Sequence, residues 1–302
     1  MLLNQELLEK LACPNCGNPL RYDEDANRLL CTVSDCSFSI VGEVPILLPS
    51  SKQDSAGFDY LEHYETDAKE FDYFETRLGA TEHSERRVRE EILLQMPPDV
   101  RSVLDVGSGS AWVAKHFQNE EVFVCSLDAT IINTAKALEK YPSSKHAAVV
   151  ADAFALPFRK GTFDCVIASE IIEHVPDPKA FVRSLLKVLK PGGVLIISTP
   201  YKEVLKYSLC IHCNQKTPLN AHLHSFDEEK LRALYDPNDI SKFEWLTLNN
   251  KLVIFARMHV ILMYLPFKLW KFADSIANLF YLKPLNIVIK AIKGNNSDRE
   301  GV

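Results

Sequence analysis

The chain has 302 residues, 47% of them hydrophobic and 25% charged, with a formal net charge of −6. This is the composition of a folded globular protein and excludes a low-complexity or fibrous chain. The acidic balance also disfavours a broad duplex-binding face, which must meet many phosphates. Residues 1–14 carry acids within an apolar pattern and have no basic leading segment, a poor signal peptide. Six of the eight cysteines fall in paired spacings that suit metal better than disulfides. A reducing, cytoplasmic compartment is expected. The charge is uneven: residues 251–293 hold seven bases and a single acid, Asp274.

Residues 1–49 read as a separate module. Cys13 and Cys16 form a Cys-x-x-Cys knuckle, and Cys31 and Cys36 form a looser pair after a polar hairpin. Four thiolates at such spacing fit tetrahedral zinc and leave no open position, so the expected role is structural. A module this short buries little core, and metal would supply folding energy. The stretch, ending in residues 42–49 (GEVPILLP), resembles zinc ribbons related to the small activator subunit of tRNA methyltransferases.

Residues 50–100 are expected to be a linker followed by helices. The segment 58–74 is aromatic and acidic, with Tyr60, Tyr64, Phe71 and Phe74 near helical spacing. A simple amphipathic helix packed on the domain explains it. Residues 85–96 predict a second helix, stopped by Pro97 and Pro98.

The rest is organised around residues 103–113, VLDVGSGSAWV. An apolar run containing Asp105 reads as a buried strand. Gly107, Ser108 and Gly109 form a turn that glycines make easily. A helix starts at Ala111. Strand, glycine turn and helix start make a nucleotide-binding corner. The dinucleotide version needs a glycine where Trp112 stands. An acid at the strand's end suits a cationic amino group instead. The stretch resembles motif I, Asp-x-Gly-x-Gly-x-Gly, of class I S-adenosylmethionine-dependent methyltransferases, with Ala111 in place of the third glycine. In similar methyltransferases a helix ahead of this motif closes over the cofactor, so Tyr64 is a candidate cover.

Residues 122–127 predict a second strand ending at Asp128, 23 positions after Asp105. An acid there can accept both ribose hydroxyls; alternatively it starts the helix over 130–141. Residues 147–151 form the third strand. After it, Asp152 can accept the adenine amino hydrogens, Ala153 offers backbone groups and Phe154 an apolar wall. Residues 161–170 give strand four, with Ser169 at its end as a further cofactor contact. Asp177 caps the next helix, with Pro178 at its first position, and residues 194–198 form strand five. The runs DAFALPF, FDCVIASEIIEHVPDP and LKPGGVLIISTP resemble successive methyltransferase motifs in order, covering residues 103–234. The resemblance implies an α/β, Rossmann-like, doubly wound, mostly parallel seven-stranded sheet over residues 101–250, completed by a last strand at 285–293.

Beyond strand five, Cys210 and Cys213 form another Cys-x-x-Cys, followed by His222 and His224. These four are a candidate second zinc site; packed thiols, or histidines that position substrate, are the alternatives. Ser225 and Glu228 predict a capping box. Residues 251–284 exceed what a hairpin needs. After Pro266, Leu269, Phe272, Ala273, Ile276, Leu279 and Phe280 share one helical face opposite Lys268, Lys271, Asp274 and Asn278. The segment either packs on the protein itself or meets a membrane surface or apolar acceptor; residues 258–267 are too short to span a bilayer. Residues 294–302 are expected to be a disordered tail.

The resemblance implies methyl transfer from S-adenosylmethionine. A base is needed only where the acceptor must lose a proton. Glu170 and His174 are the candidates for that role in the cleft, and Glu173 is equally placed to face a neighbouring helix. The acidic body and apolar insertion point to a small-molecule or lipid-like acceptor and a peripheral contact at the inner membrane surface. An RNA acceptor is the alternative, because a similar ribbon precedes a ribosomal-RNA guanine methyltransferase domain. A non-catalytic cofactor-binding module is the third.

Overall fold

The computed structural model describes residues 3–50 and 59–295. The expected linker at 51–57, Phe58 and the tail from 296 lie outside the described residues. The chain opens with α1 (Gln5–Lys10) and four short strands, β1 (Leu20–Asp23), β2 (Arg28–Cys31), β3 (Ser37–Val41) and β4 (Val44–Leu47). Next come α2 (Tyr60–Glu70) and α3 (Gly79–Gln95). The alternating part runs β5 (Ser102–Val106), α4 (Trp112–His116), β6 (Phe123–Asp128), α5 (Ile131–Lys140), β7 (His146–Ala151), β8 (Phe163–Ser169), α6 (Pro178–Val188) and β9 (Leu189–Pro200). A two-stranded hairpin, β10 (Tyr207–Leu209) and β11 (Lys216–Pro218), precedes α7 (Glu228–Arg232) and β12 (Ile240–Asn250). The chain then forms α8 (Lys251–Phe255), α9 (His259–Leu262), α10 (Phe267–Phe280) and β13 (Pro284–Lys293).

One sheet of eleven strands, not seven, runs β1-β2-β3-β4-β7-β6-β5-β8-β9-β13-β12. The seven expected strands are its contiguous part from β7 to β12. Five of them, β7-β6-β5-β8-β9, are parallel, and β13 and β12 close the far side antiparallel. The extra four come from the N-terminal segment. Its last strand, β4, pairs parallel with β7, Ile46 opposite Val150 and Leu47 opposite Ala151. An unpaired sheet edge is a liability, and β4 covers it. The segment expected to stand apart is therefore continuous with the main sheet. Its Leu7, Leu29 and Phe38 share one apolar cluster with Leu104, Val166 and Leu195 of the central strands.

Both faces of the central strands are buried, which is why their sequences read as unbroken apolar runs. Leu104 and Val106 of β5 point to the face covered by α6 through Phe181 and Leu185. Val103 points to the other, with Val88 and Ile92 of α3 and Trp270 of α10. The strand order reverses between β5 and β8, so the switch point opens at the C-terminal ends of these two strands.

The helical insertion is anchored to α3 by its polar face. Arg87, 1% exposed, lies 5.0 Å from the Trp270 ring. It donates to the carbonyls of Leu262 at 2.9 Å and Leu265 at 3.0 Å. Lys271 Nζ donates to the buried Glu91 carboxylate at 2.6 Å. The buried residues of α10 are Trp270 and Asp274. The expected apolar face is thus turned outward: Leu269, Phe272, Leu279 and Phe280 are all exposed. The capping box also differs. Asp227, not Ser225, caps α7 by accepting from Lys230 N, and Glu228 instead accepts the Tyr201 hydroxyl proton at 2.8 Å.

Candidate cofactor and acceptor site

The glycine corner lies where β5 ends at the switch point. Gly107 has φ +66°, which strains any residue with a Cβ, and a Cβ there would stand 2.2 Å from Ile171 Cδ1, so that side chain would have to shift. Ala111, the N-cap of α4, also has left-handed backbone, φ 51° and ψ 42°. Ser108 N donates to Leu127 O at 2.9 Å and ties the turn to β6. Asp128, at the tip of β6, accepts from Gly109 N at 3.0 Å, Thr130 N at 3.1 Å and Asn133 Nδ2 at 3.3 Å. Burial raises its carboxyl pKa, and these donors oppose the rise. Asp128 thus braces the start of α5 and also lines the cavity.

That cavity is lined by Gly107, Gly109, Asp128, Asp152, Ala153, Glu170 and His174 on the sheet side, and by Tyr60, Tyr64 and Tyr73 across from them. The aromatic segment does cover the cleft. Tyr60 Oη donates to Asp152 Oδ2 at 2.6 Å, and a Cβ on Gly109 would meet the Tyr73 ring at 3.2 Å. Three expected contacts are not on the wall. Asp105 is 1% exposed, lies behind the turn, and its Oδ2 has no hydrogen-bond partner. Burial pushes its carboxyl up to about 7, with Asp128 adding to the rise. Ser108 is buried with its hydroxyl unpartnered. Ser169 is engaged with Ser198, 2.9 Å between hydroxyl oxygens, because β8 and β9 are in register there.

Glu170 follows β8 in left-handed backbone, φ 57°. A non-glycine residue held so is strained, and such strain gathers at functional sites. Its Oε1 accepts from Ser198 Oγ at 2.8 Å. Burial pushes Glu170 up to about 7, against the Ser198 bond. Burial, reinforced by His222, holds His174 down at about 4. Glu173 does not turn away to a helix: it is buried beside His174, with Oε1 3.9 Å from His174 Nε2. Sequence reading missed the covering roles of Tyr60 and Tyr73, and it missed Glu203, which has no local signature.

The thiols behave unequally. Cys13, Cys16 and Cys31 bring their sulfurs within 4.8 Å of one another. Cys16 Sγ and Cys31 Sγ are 3.5 Å apart. Thiolates on one zinc, each about 2.3 Å from it, stand at roughly such separations. Cys36 Sγ stands outside that trio and accepts from Asn15 Nδ2 at 3.2 Å. The second expected set does not assemble. Cys210 and Cys213 occupy the turn of the β10–β11 hairpin, with Cys213 exposed. His222 instead meets Glu173 and His174, and His224 Nε2 is bonded to Val175 O at 3.0 Å. The hairpin carries the thiols outward, while the histidines that follow it are bonded to Glu203 and to the Val175 carbonyl.

A glycine corner, an acid at the tip of the next strand and a cavity at the switch point are features in which this fold is similar to class I S-adenosylmethionine-dependent methyltransferases. A family profile described as "Methyltransferase domain" matches residues 80–239, more than half of the chain. The chain belongs to this family, and its α/β domain is that of an S-adenosylmethionine-dependent methyltransferase. It is similar to the ubiquinone biosynthesis O-methyltransferase of Colwellia psychrerythraea, 33% identical over 118 residues, covering 38% of this chain and 48% of that protein. It is also similar to the ubiquinone/menaquinone biosynthesis C-methyltransferase of Pseudomonas aeruginosa, 31% identical over 142 residues, covering 44% of this chain and 56% of that protein. The chain spans about half the length of these curated relatives. Among solved structures, a chain from the complex of the Haloferax volcanii Trm112 methyltransferase activator with a methyltransferase has a TM-score of 0.50 at 15% identity, over 78% of this chain and 99% of that chain. At that identity the likeness is one of fold.

Proposed function

We propose that this protein transfers the methyl group of S-adenosylmethionine to a small, apolar or lipid-like acceptor. The observation that carries the reading is the single cavity wall on which Gly107, Gly109, Asp128 and Asp152 stand beside Glu170 and His174. Bound S-adenosylmethionine supplies a sulfonium methyl already activated for transfer. The bare glycine turn makes room for its backbone approach, Asp128 offers carboxylate oxygen to a ribose diol, and Phe154 walls the base. Tyr60, Tyr64 and Tyr73 exclude water from the cleft. Glu170, with a carboxyl near 7, can take the proton that an O–H or N–H acceptor must shed. The quinone-biosynthesis names of the two relatives support a small acceptor.

The same reading includes a structural zinc on Cys13, Cys16 and Cys31, whose sulfurs lie within 4.8 Å of one another, with Cys36 moving in as the fourth ligand, and a peripheral contact with the cytoplasmic face of a membrane. For the latter, Phe255, Ile261, Tyr264, Phe272 and Phe280 are exposed on the insertion, rimmed by exposed Lys251, Arg257, Lys268 and Lys283. Apolar rings flanked by lysines suit an anionic lipid surface. No helix among the described residues is long and apolar enough to cross a membrane. Incubating cell extract with the protein and isotopically labelled methyl donor tests the acceptor class. Label in an organic-soluble small molecule is expected. Label confined to RNA would replace this reading with the nucleic-acid one, and no label with wild-type protein would remove catalysis altogether.

A further inference from the structure

Two histidines and a buried carboxylate meet beside Tyr64, and their other bonds leave the same kind of atom free on each. Glu173, His174 and His222 each bring one donor atom within 4.8 Å of the others. His174 Nδ1 donates to the Ala221 carbonyl at 3.3 Å. His222 Nδ1 donates to Glu203 Oε2 at 2.5 Å. A carbonyl and a carboxylate only accept, so each ring carries a proton on Nδ1, and a neutral ring in that tautomer offers its lone pair on Nε2. Glu173 accepts the Thr199 hydroxyl proton on Oε2 at 2.9 Å, which leaves Oε1 facing His174 Nε2. Rings backed by a carbonyl or a carboxylate are the arrangement that metal-ligating histidines use, since it fixes tautomer and orientation before the ion arrives.

Charge points the same way. Glu173 is 1% exposed and has the carboxylates of Glu170 and Glu203 as electrostatic neighbours. A buried carboxylate cluster of this kind is stabilised directly by a cation among its oxygens.

We infer that Glu173, His174 and His222 form a binding site for a divalent transition-metal ion, with Glu203 and the Ala221 carbonyl orienting the two rings. Two imidazoles and a carboxylate suit zinc, iron or cobalt, whereas magnesium takes all-oxygen surroundings. Ligand bonds of about 2.0–2.2 Å require donor atoms roughly 3–3.5 Å apart, so the three side chains draw together on binding. Three protein ligands leave coordination positions open. His174 also lines the cavity, so a molecule in the cleft can reach those positions. An acceptor bearing an oxygen donor is the class such an ion would hold; that step rests on the methyl-transfer reading, whereas the metal site does not.

Cobalt(II) is the probe. The full-length protein is titrated anaerobically, with bound metal counted by mass spectrometry and the visible spectrum recorded. A thiolate site gives an intense sulfur-to-cobalt band in the near ultraviolet; a nitrogen–oxygen site gives only weak visible bands. Wild type should take up one equivalent beyond the thiolate-bound metal, without added thiolate absorption. Glu173→Gln and His222→Ala should lose that equivalent and keep the thiolate band, and Glu203→Gln should weaken it 10–100-fold. Cys210→Ser should leave it intact. The inference is overturned if wild type binds no metal beyond the thiolate set. It is equally overturned if His222→Ala, folded by circular dichroism, retains the extra equivalent, or if Cys210→Ser removes it. Should Glu173→Gln fail to fold, His222→Ala and Glu203→Gln decide the matter.

Discussion

Two segments of this chain carry the same Cys-x-x-Cys spacing and come to opposite ends. At Cys13 and Cys16 a second hairpin delivers Cys31 from across the module, so three sulfurs converge beside a shared core. At Cys210 and Cys213 the two strands that flank the knuckle are themselves exposed. The histidines that would complete a tetrahedron are held elsewhere, His224 by a carbonyl and His222 by Glu203. Local spacing makes half a metal site. The other half must come from an element that packing brings back, and packing favours the strap that faces a buried carboxylate over one that faces water.

The largest expected effect breaks this comparison directly. Cys13→Ser should cost one equivalent of zinc and most of the stability of the β1–β4 segment, since metal binding to such modules is worth about 10 kcal/mol or more. Cys210→Ser should leave both zinc content and melting temperature unchanged. Metal analysis alongside thermal denaturation of the two variants checks it, and equal losses would show the two knuckles to be equivalent.

Next in size is the proton-accepting group. With the Glu170 carboxyl pushed up to about 7, the ionised form grows as pH rises through neutrality. Methyl transfer to an O–H or N–H acceptor should therefore climb from pH 6 to pH 8 and then level. Glu170→Gln should lower kcat by about 10²–10⁴-fold and flatten the profile. A variant with an unchanged rising limb would assign the limb to another group.

Asp128→Ala should weaken S-adenosylmethionine binding by about 1.5–3 kcal/mol for each charge-assisted hydrogen bond lost, read by calorimetry. Because Asp128 also holds Gly109 N and Thr130 N, the variant should melt lower as well. Asp152→Ala separates the two effects: it loses the Tyr60 bond but leaves the glycine turn in place.

How much of this was legible beforehand depended on the range of the interaction. The central strands, the glycine turn and the Asp177 cap are local patterns, and they appear where the sequence placed them. The edge pairing of β4 on β7 joins residues about a hundred positions apart, and nothing in residues 44–47 announces it. Asp105 and Ser169 have the right sequence neighbours, yet the alternation of side chains along β5 and β8 turns them from the cavity. The insertion is the plainest case. Periodicity found its apolar face but could not say that Arg87 and Glu91 of α3 would capture the opposite one.

That outward face gives a smaller prediction. Lys271 is committed to Glu91, so replacing it tests the fold. Lys268 and Lys283 are exposed, and changing both to Glu should weaken binding to anionic vesicles by about 1 kcal/mol each at low salt. Phe272→Ser, at a residue 67% exposed, should reduce binding without lowering stability. Co-sedimentation with anionic and neutral vesicles reads both; equal binding to the two lipids would remove the electrostatic contribution.

The smallest expected effect concerns Ala111, where the family pattern has glycine. Its left-handed backbone, φ 51° and ψ 42°, costs a residue with a Cβ about 1–2 kcal/mol. Glycine would relieve that strain. It would also give up a fully buried methyl, worth about 0.8 kcal/mol, and add about 0.4–1 kcal/mol of unfolded-state entropy. The terms nearly cancel, so Ala111→Gly should shift stability by less than about 0.5 kcal/mol in either direction, measured from the denaturant midpoint. Ala111→Val keeps the strain and adds β-branched bulk at a site with no exposed surface, so it should destabilise clearly. If glycine instead stabilised by more than about 1 kcal/mol, the methyl would contribute nothing to packing, and the turn would carry strain that the family's usual residue avoids.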